Sequence, residues 1–479
     1  RGLGDVYKRQ ALRAAPVAHV FNSEYGLYTS LPGFQKAQMN NPMVDVDLKA
    51  NTTKAENYRG SGNVYGQWDF LKHFQFKAMF SLDYASNSTR TYTPVIQVYD
   101  ASVEGDIATL GNGKTGVSQA KETEMKVQSD YLLTYTNSWG DHSVTATAGF
   151  TTYYNKLENL NGARTQGVGL VIPDNPDKWY ISIGDAATAT NGSTQWERST
   201  VSVLARILYN YKGKYLFNGS YRRDGSSRLS KQERWGNFWS VAGAWNIMRE
   251  GFMSKYSFLS NLRIRASYGI NGTLPSDNYG YMSLMSYTSK YMGNPGGTIT
   301  TVTNDKLSWE TSYNTNVGID FGFFGQRLRG TVEYFNRDSK NLLQDVPISM
   351  VTGFSSTLRN VGCINNHGVE VELSGDIIDS KGWLWSAGVN ATFLRSEVKE
   401  LYGGADIIWY DPTSSDSRAQ YVYREGQSTL AFYGYEWAGV DKTNGKNVYY
   451  VNDPKNGKAG DFEYNGRGAT YDYNNANYT

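Results

Sequence analysis

Catalysis and metal binding draw on a small set of side chains, and this sequence offers few of them in workable spacing. Its four histidines, His19, His73, His142 and His367, lie scattered along 479 residues and leave little for metal or imidazole chemistry. No Gly-x-Ser-x-Gly elbow, His-Glu-x-x-His pair or phosphate-cradling glycine loop occurs. Cys363 is the single cysteine, which excludes an internal disulfide framework and a cysteine-based zinc site and leaves an inert thiol. Carboxylate pairs such as Asp45 with Asp47, or Glu370 with Glu372, stand two residues apart, and in a strand such a pair shares a face. General acid–base work is open to a pair of that kind, but a solvated polar wall explains it more simply. Asp441 to Asn447 resembles an oxygen-rich Ca²⁺ loop, yet it lacks the closing bidentate glutamate and reads as an Asn-Gly turn. The sequence therefore predicts no enzyme, no catalytic residue, no cofactor and no metal site.

Composition points elsewhere. Length alone suggests about three ordinary soluble domains. Only 39% of residues are hydrophobic, yet 14% are aromatic, with 37 Tyr and 12 Trp, and Gly outnumbers Pro by 50 to 11. Mean hydropathy is -0.54. No window approaches the ~18 consecutive apolar residues of a spanning helix. A net charge of +2 offers no basic stripe for nucleic acid. Tyr, Trp, Gly and Asn in this balance suit a large antiparallel sheet with one wet face.

Period-two alternation dominates the chain. Thr311, Tyr313, Thr315, Val317, Ile319 and Phe321 alternate with Ser312, Asn314, Asn316, Gly318 and Asp320. The same sorting runs over 74–84 and 383–393. A helix would scatter these residues around its axis, whereas a strand sorts them onto two faces. The alternation predicts twelve strands, at 60–71, 74–86, 124–138, 143–158, 198–211, 215–223, 237–247, 261–270, 308–322, 327–337, 367–376 and 383–395. Many approach the ~9–11 residues that a tilted strand needs to cross a bilayer. Tight connections (72–73, 139–142, 212–214, 322–326, 377–382) mostly alternate with long polar ones (87–123, 159–197, 271–307, 338–366), although 224–236 and 248–260 are intermediate. Short turns on one rim and long loops on the other predict an all-β, antiparallel transmembrane barrel with periplasmic turns and extracellular loops. No fixed-period repeat suggests a propeller or solenoid.

One face of these strands carries aromatics near the strand ends. Trp68, Tyr131, Trp239, Trp245, Tyr313, Trp383 and Trp385 form the predicted lipid-facing belt, since such rings suit a boundary between hydrocarbon and water. The other face carries charge within the strand span. Lys77, Arg206, Arg263, Arg265, Glu370 and Glu372 are the predicted lumen-facing residues, expensive in lipid but cheap in a hydrated or plugged lumen.

Several stretches, taken in order, resemble the SusC/RagA family of TonB-linked outer-membrane proteins. They begin with Tyr211-Lys212-Gly213-Lys214-Tyr215-Leu216-Phe217 and Tyr221-Arg222-Arg223-Asp224-Gly225-Ser226-Ser227-Arg228-Leu229. Trp235-Gly236-Asn237-Phe238-Trp239-Ser240-Val241-Ala242-Gly243-Ala244-Trp245 and Leu262-Arg263-Ile264-Arg265-Ala266-Ser267-Tyr268-Gly269 follow. Leu307-Ser308-Trp309-Glu310-Thr311 and Asn360-Val361-Gly362, leading into Asn366-His367-Gly368-Val369-Glu370, complete the series. Each string is weak alone; their joint order from about residue 11 to 450 is specific. In physical terms Asp224-Gly225-Ser226-Ser227 is turn chemistry at a strand end. Trp309-Glu310 reads as a strand opening at an interface, with the ring in the headgroup zone and the carboxylate in water. Asn366-His367-Gly368 reads as a strand entry, with Gly368 facing inward to leave room in the lumen.

The resemblance implies roughly 12 to 14 of about 22 barrel strands, and it also implies a plug and a TonB-contacting segment that are not recognisable here. Residues 1–10 read as a non-native leader, 11–59 as an irregular early-barrel segment, and 60–479 as receptor barrel incomplete at its C-terminal end. The resemblance further implies residence in the outer membrane of a Bacteroidetes-type Gram-negative cell. It implies active import of oligosaccharides or peptides, powered by the TonB complex through the plug, with a SusD-like surface lipoprotein as lid. The loops 87–123, 159–197, 271–307 and 338–366 would meet lid and ligand. A passive outer-membrane pore and a secreted β-sandwich adhesin or carbohydrate-binding protein are the alternatives.

Overall fold

The structure is a computed structural model that describes residues 19–31, 41–48, 52–103, 105–111, 113–166, 171–380, 382–409, 421–451 and 461–471. The expected leader and most of the early-barrel segment lie outside the described residues. Twelve strands form one sheet. They are β1 (Thr53–Phe70), β2 (Phe74–Thr93), β3 (Gly116–Trp139), β4 (His142–Thr165), β5 (Thr190–Tyr211) and β6 (Tyr215–Ser226). They continue as β7 (Trp235–Asn246), β8 (Leu259–Thr273), β9 (Glu310–Phe323), β10 (Leu328–Pro347), β11 (Ser356–Ser380) and β12 (Trp383–Glu400). Each strand pairs with its neighbours in sequence, an unbroken meander from β1 to β12. Every pair with a defined register is antiparallel. Among the described residues no helix is long and apolar enough to cross a membrane.

All twelve expected strands are present, and several are longer than alternation indicated. Toward the strand ends the period-two pattern is lost, as where the register shifts at Leu342 and Leu343, although backbone pairing continues. The largest correction is at 338–366, expected as a long loop. There β10 and β11 stay paired as far as Pro347 and Ser356, so only residues 348–355 connect them. Asn366, His367, Gly368 and Cys363 accordingly lie within β11 and do not open it.

The tight turns need left-handed backbone, which side chains with a Cβ adopt at some cost. Lys212 (φ 53°) and Gly213 (φ 64°) form one such turn, Leu71 and Lys72 another, at φ 49° and 59°.

Two compact units are drawn from Arg1–Tyr65, Met79–Ser129 and Tyr153–Arg198, and from Gly66–Ala78, Asp130–Thr152 and Ser199–Thr479. The first holds two small cores. Tyr92 stacks on Trp179 beside Val117 and Ile172, and Val44, Ile96 and Val98 form the other. In the second unit Leu229, Phe238, Leu307 and Trp309 bury one another where loop segments meet strand ends. Trp309 thus departs from the interfacial placement expected of it. Its ring is buried edge-on to Phe238, and its Nε1 donates to the Arg234 carbonyl at 3.2 Å. Glu310 accepts from the Leu343 amide at 2.9 Å, closing a strand end.

After Glu400 the described residues form two small separate sheets, one of them from Trp437–Val440, Asn447–Tyr450, Phe462–Tyr464 and Arg467–Thr470. The Asp441 segment there is a turn held from within: Asp441 accepts from the Thr443 amide and hydroxyl, from Asn444 and from the Tyr471 hydroxyl.

Candidate functional site

The register of β8 to β11 assembles a charged patch from residues far apart in sequence. Arg263 pairs with Asp320, Asp320 with Thr331 and Thr331 with Glu372. One step along, Arg265 pairs with Gly318, Gly318 with Glu333 and Glu333 with Glu370. These seven side-chain-bearing positions share one sheet face. Asp320 is 8% exposed and accepts from Arg263 Nε at 2.8 Å, Arg265 Nε at 3.3 Å and Thr331 Oγ1 at 3.2 Å. Arg265 also reaches across β9 to bond Glu333. It passes over Gly318, where a Cβ would stand 3.0 Å from the guanidinium carbon. Charge-assisted bonds of this kind hold a buried carboxylate that would otherwise be costly. Glu370 and Glu372 border the patch and are exposed.

Arg206 stands opposite Ser220 and donates to Asn218 Oδ1 at 3.2 Å. Lys77 is partly exposed, and alternation along β2 opposes it to Phe76 and Ala78. Gly368 stands opposite Phe335, on the same face as Glu370 and Glu372. What it accommodates is local: an added Cβ would collide with the Phe393 carbonyl oxygen and with the Phe335 ring, 2.8 Å away.

The opposite face is apolar and uncovered. Val317, Ile319, Val332, Tyr334, Val389 and Phe393 are all exposed, Val389 at 62%. Trp68, 66% exposed, stacks on Phe70 at 4.7 Å, and the series continues through Phe74 to Tyr135. Tyr131 lies 6.3 Å from Phe150, and Trp239 meets Tyr268 edge-on at 5.6 Å. Trp245 faces Tyr215 at 6.4 Å, the Lys340 ammonium lies over Tyr313, and Trp383 and Trp385 project from β12. From Tyr313 to Phe323 the strand runs about 33 Å, which at a tilt near 45° projects to the ~25 Å apolar band of outer-membrane barrels.

Toward the loops this face becomes polar within one pairing step. Asn365 donates to Asn336 and to Asp338, both at 2.7 Å, and His367 Nδ1 lies 2.6 Å from Asn365 Oδ1. At the turn rim, outside the strands, Glu250 accepts from Lys214 (2.9 Å), Tyr215 (2.8 Å) and Trp245 Nε1 (3.1 Å). The Lys214 ammonium first, then the two ring donors, hold its carboxyl at about 2, below the usual 4.5. Neither Asp320 nor Glu250 was singled out by sequence, because each is defined by cross-strand partners. Alternation alone does place Asp320 opposite Ile319. Among the described residues, no group of three or more His, Cys, Asp or Glu could hold a metal ion.

The family model described as TonB dependent receptor-like, beta-barrel matches residues 13–479. TonB-dependent receptor P3 of Formosa agariphila is 30% identical over 448 residues, covering 92% of this chain and 42% of that protein. TonB-dependent receptor SusC of Bacteroides thetaiotaomicron is 27% identical over 445 residues, covering 90% and 42%. Among solved structures, the RagAB peptide importer in its closed-closed state superposes with a TM-score of 0.76 at 24% identity, over 92% of this chain and 46% of that one. The chain thus spans less than half the length of the relatives it matches. With its twelve-stranded antiparallel meander and this match along nearly its whole length, the chain belongs to the TonB-dependent receptor-like β-barrel family of the outer membrane, in its SusC/RagA branch.

Proposed function

We propose that this chain supplies wall and extracellular loops to a TonB-dependent importer of oligosaccharides or peptides. The aromatic-edged face, with Trp68, Tyr131, Trp239, Trp245, Tyr313, Trp383 and Trp385, meets lipid. The face of Lys77, Arg206, Arg263, Arg265, Glu370 and Glu372 lines the lumen, where a plug coupled to the TonB complex would sit. A SusD-like lipoprotein would close over the loop rim. The observation that carries this reading is the contrast between the two faces. Apolar side chains stand exposed on one side of β8 to β12, while the other side carries a hydrogen-bonded ion-pair network. In water that arrangement is an aggregation hazard; in a bilayer it is the expected distribution.

Single cysteines at Val317 and Asn316, in a Cys363→Ser background of the full-length protein, test the faces. A fluorophore at 317 should be quenched by nitroxide lipids and one at 316 should not. Equal quenching at both sites would overturn the assignment. Nutrient uptake that persists without TonB would favour a passive pore.

A further inference from the structure

Within the first compact unit, β1 to β4 place a polar row on one face. Asn63 of β1, Ser81 and Asp83 of β2, Lys126 and Gln128 of β3 and Tyr153 of β4 line a cavity of 310 Å³. Ser81 and Asp83 follow the same alternation along β2 as Lys77, so they belong to the face read above as lumenal. The charges here are already neutralised in pairs. Arg59 donates to Asp83 through Nε at 3.0 Å and Nη2 at 2.8 Å. Lys126 donates to Glu124 at 2.7 Å, and Glu124 also accepts from Asn155 at 3.1 Å.

What the cavity presents is therefore hydroxyl and amide. These groups both donate and accept. Among the described residues the side chains of Asn63, Ser81 and Tyr153 bond to no other protein group. A ligand carrying a net charge would find no free counter-charge and would have to break a pair, leaving an ion poorly satisfied. A ring bearing several hydroxyls meets donors and acceptors on every side, and the Tyr153 ring offers an apolar surface for its C–H face. The volume lies at the small end of ligand pockets, enough for a short saccharide segment.

We propose that this cavity is a wall subsite for an uncharged, polyhydroxylated segment, a pyranose unit of an oligosaccharide. The proposal rests on the importer reading, because it requires this face to line the path. The test uses the full-length protein purified from outer membranes, titrated calorimetrically with maltohexaose, xylohexaose, mannohexaose and, for comparison, hexa-alanine. Asn63→Leu and Tyr153→Ala are compared with the wild type and with Asn63→Ser, after each is shown to be heat-modifiable in gels.

Binding of at least one saccharide, weakened tenfold or more by Asn63→Leu and Tyr153→Ala and less by Asn63→Ser, is the expected result. A saccharide bound equally well by all variants overturns the subsite. Binding of hexa-alanine alone, or of no saccharide at all, overturns the ligand class. TonB-dependent uptake by cells carrying the same variants separates the two readings: if it persists while the titrations fail, the subsite falls and the importer stands.

Discussion

Arg265 reaches Glu333 because Gly318 leaves the intervening strand bare. Gly318→Val should push the guanidinium aside and strand Glu333, at a cost of about 1–3 kcal/mol. Gly243→Val, where the nearest atom to an added Cβ is 3.9 Å away, is the control. Urea unfolding of the full-length protein in detergent should lower the midpoint for the first and leave the second nearly unchanged. Gly368→Ala presents a harder clash, since one obstacle is the backbone carbonyl of Phe393. It should destabilise by roughly 1–3 kcal/mol, and adding Phe335→Ala should not restore the loss, because the carbonyl remains.

Glu250 makes a pH prediction whose sign follows from its depressed carboxyl, at about 2 in the folded chain against 4.5. Its bonds with Lys214, Tyr215 and Trp245 contribute fully above about pH 4.5 and are lost as pH falls toward 2. Trp245 donates to this carboxylate, so its fluorescence should change through that window and should stay flat in Glu250→Gln.

Each strand of the sheet displays two chemistries, and a substitution tests which face meets which medium. Val317→Arg places a cation on the exposed apolar face and should cost about 2–4 kcal/mol if that face lies in lipid. Asn316→Arg, one residue away on the charged face, should be tolerated. Outer-membrane yield and heat-modifiability compare the two, and equal effects would reject the face assignment. Strand identity was legible because a period of two cannot be mistaken for 3.6 over ten residues. Strand length was less so. Residues 338–366 break the alternation although they pair. Leu342 and Leu343 are adjacent where the register shifts, and Leu343, Val346 and Leu358 are drawn to protein contacts near the loops, so no period of two marks the strand there. Trp309 was misjudged for the same kind of reason: an interfacial Trp and a Trp buried by a returning loop look alike until the loop is placed.

Taken as a single object, the sheet has two ends, β1 and β12, and among the described residues no further long strand flanks either. At the loop end of β12 Val398 exchanges backbone hydrogen bonds with Gly426 and Gln427, and the Ser396 hydroxyl meets that of Thr429 at 2.9 Å. Unpaired edges invite association. Produced as this chain of 479 residues, the protein should aggregate or pair edge to edge rather than give the heat-modifiable band of a closed barrel. A sharp heat-modifiable monomer would contradict that expectation.

Strand number, the two faces of each strand and the family were readable along the chain, because side-chain alternation is a local consequence of backbone geometry. The grouping of Arg263, Arg265, Asp320, Glu333, Glu370 and Glu372 depended on register, which links positions up to 109 residues apart only once strands pair. The clamp at Glu250 and the polar cavity across β1 to β4 depended on it equally. Hydrogen bonds between neighbouring strands settle such partnerships, and no pattern within one strand encodes them.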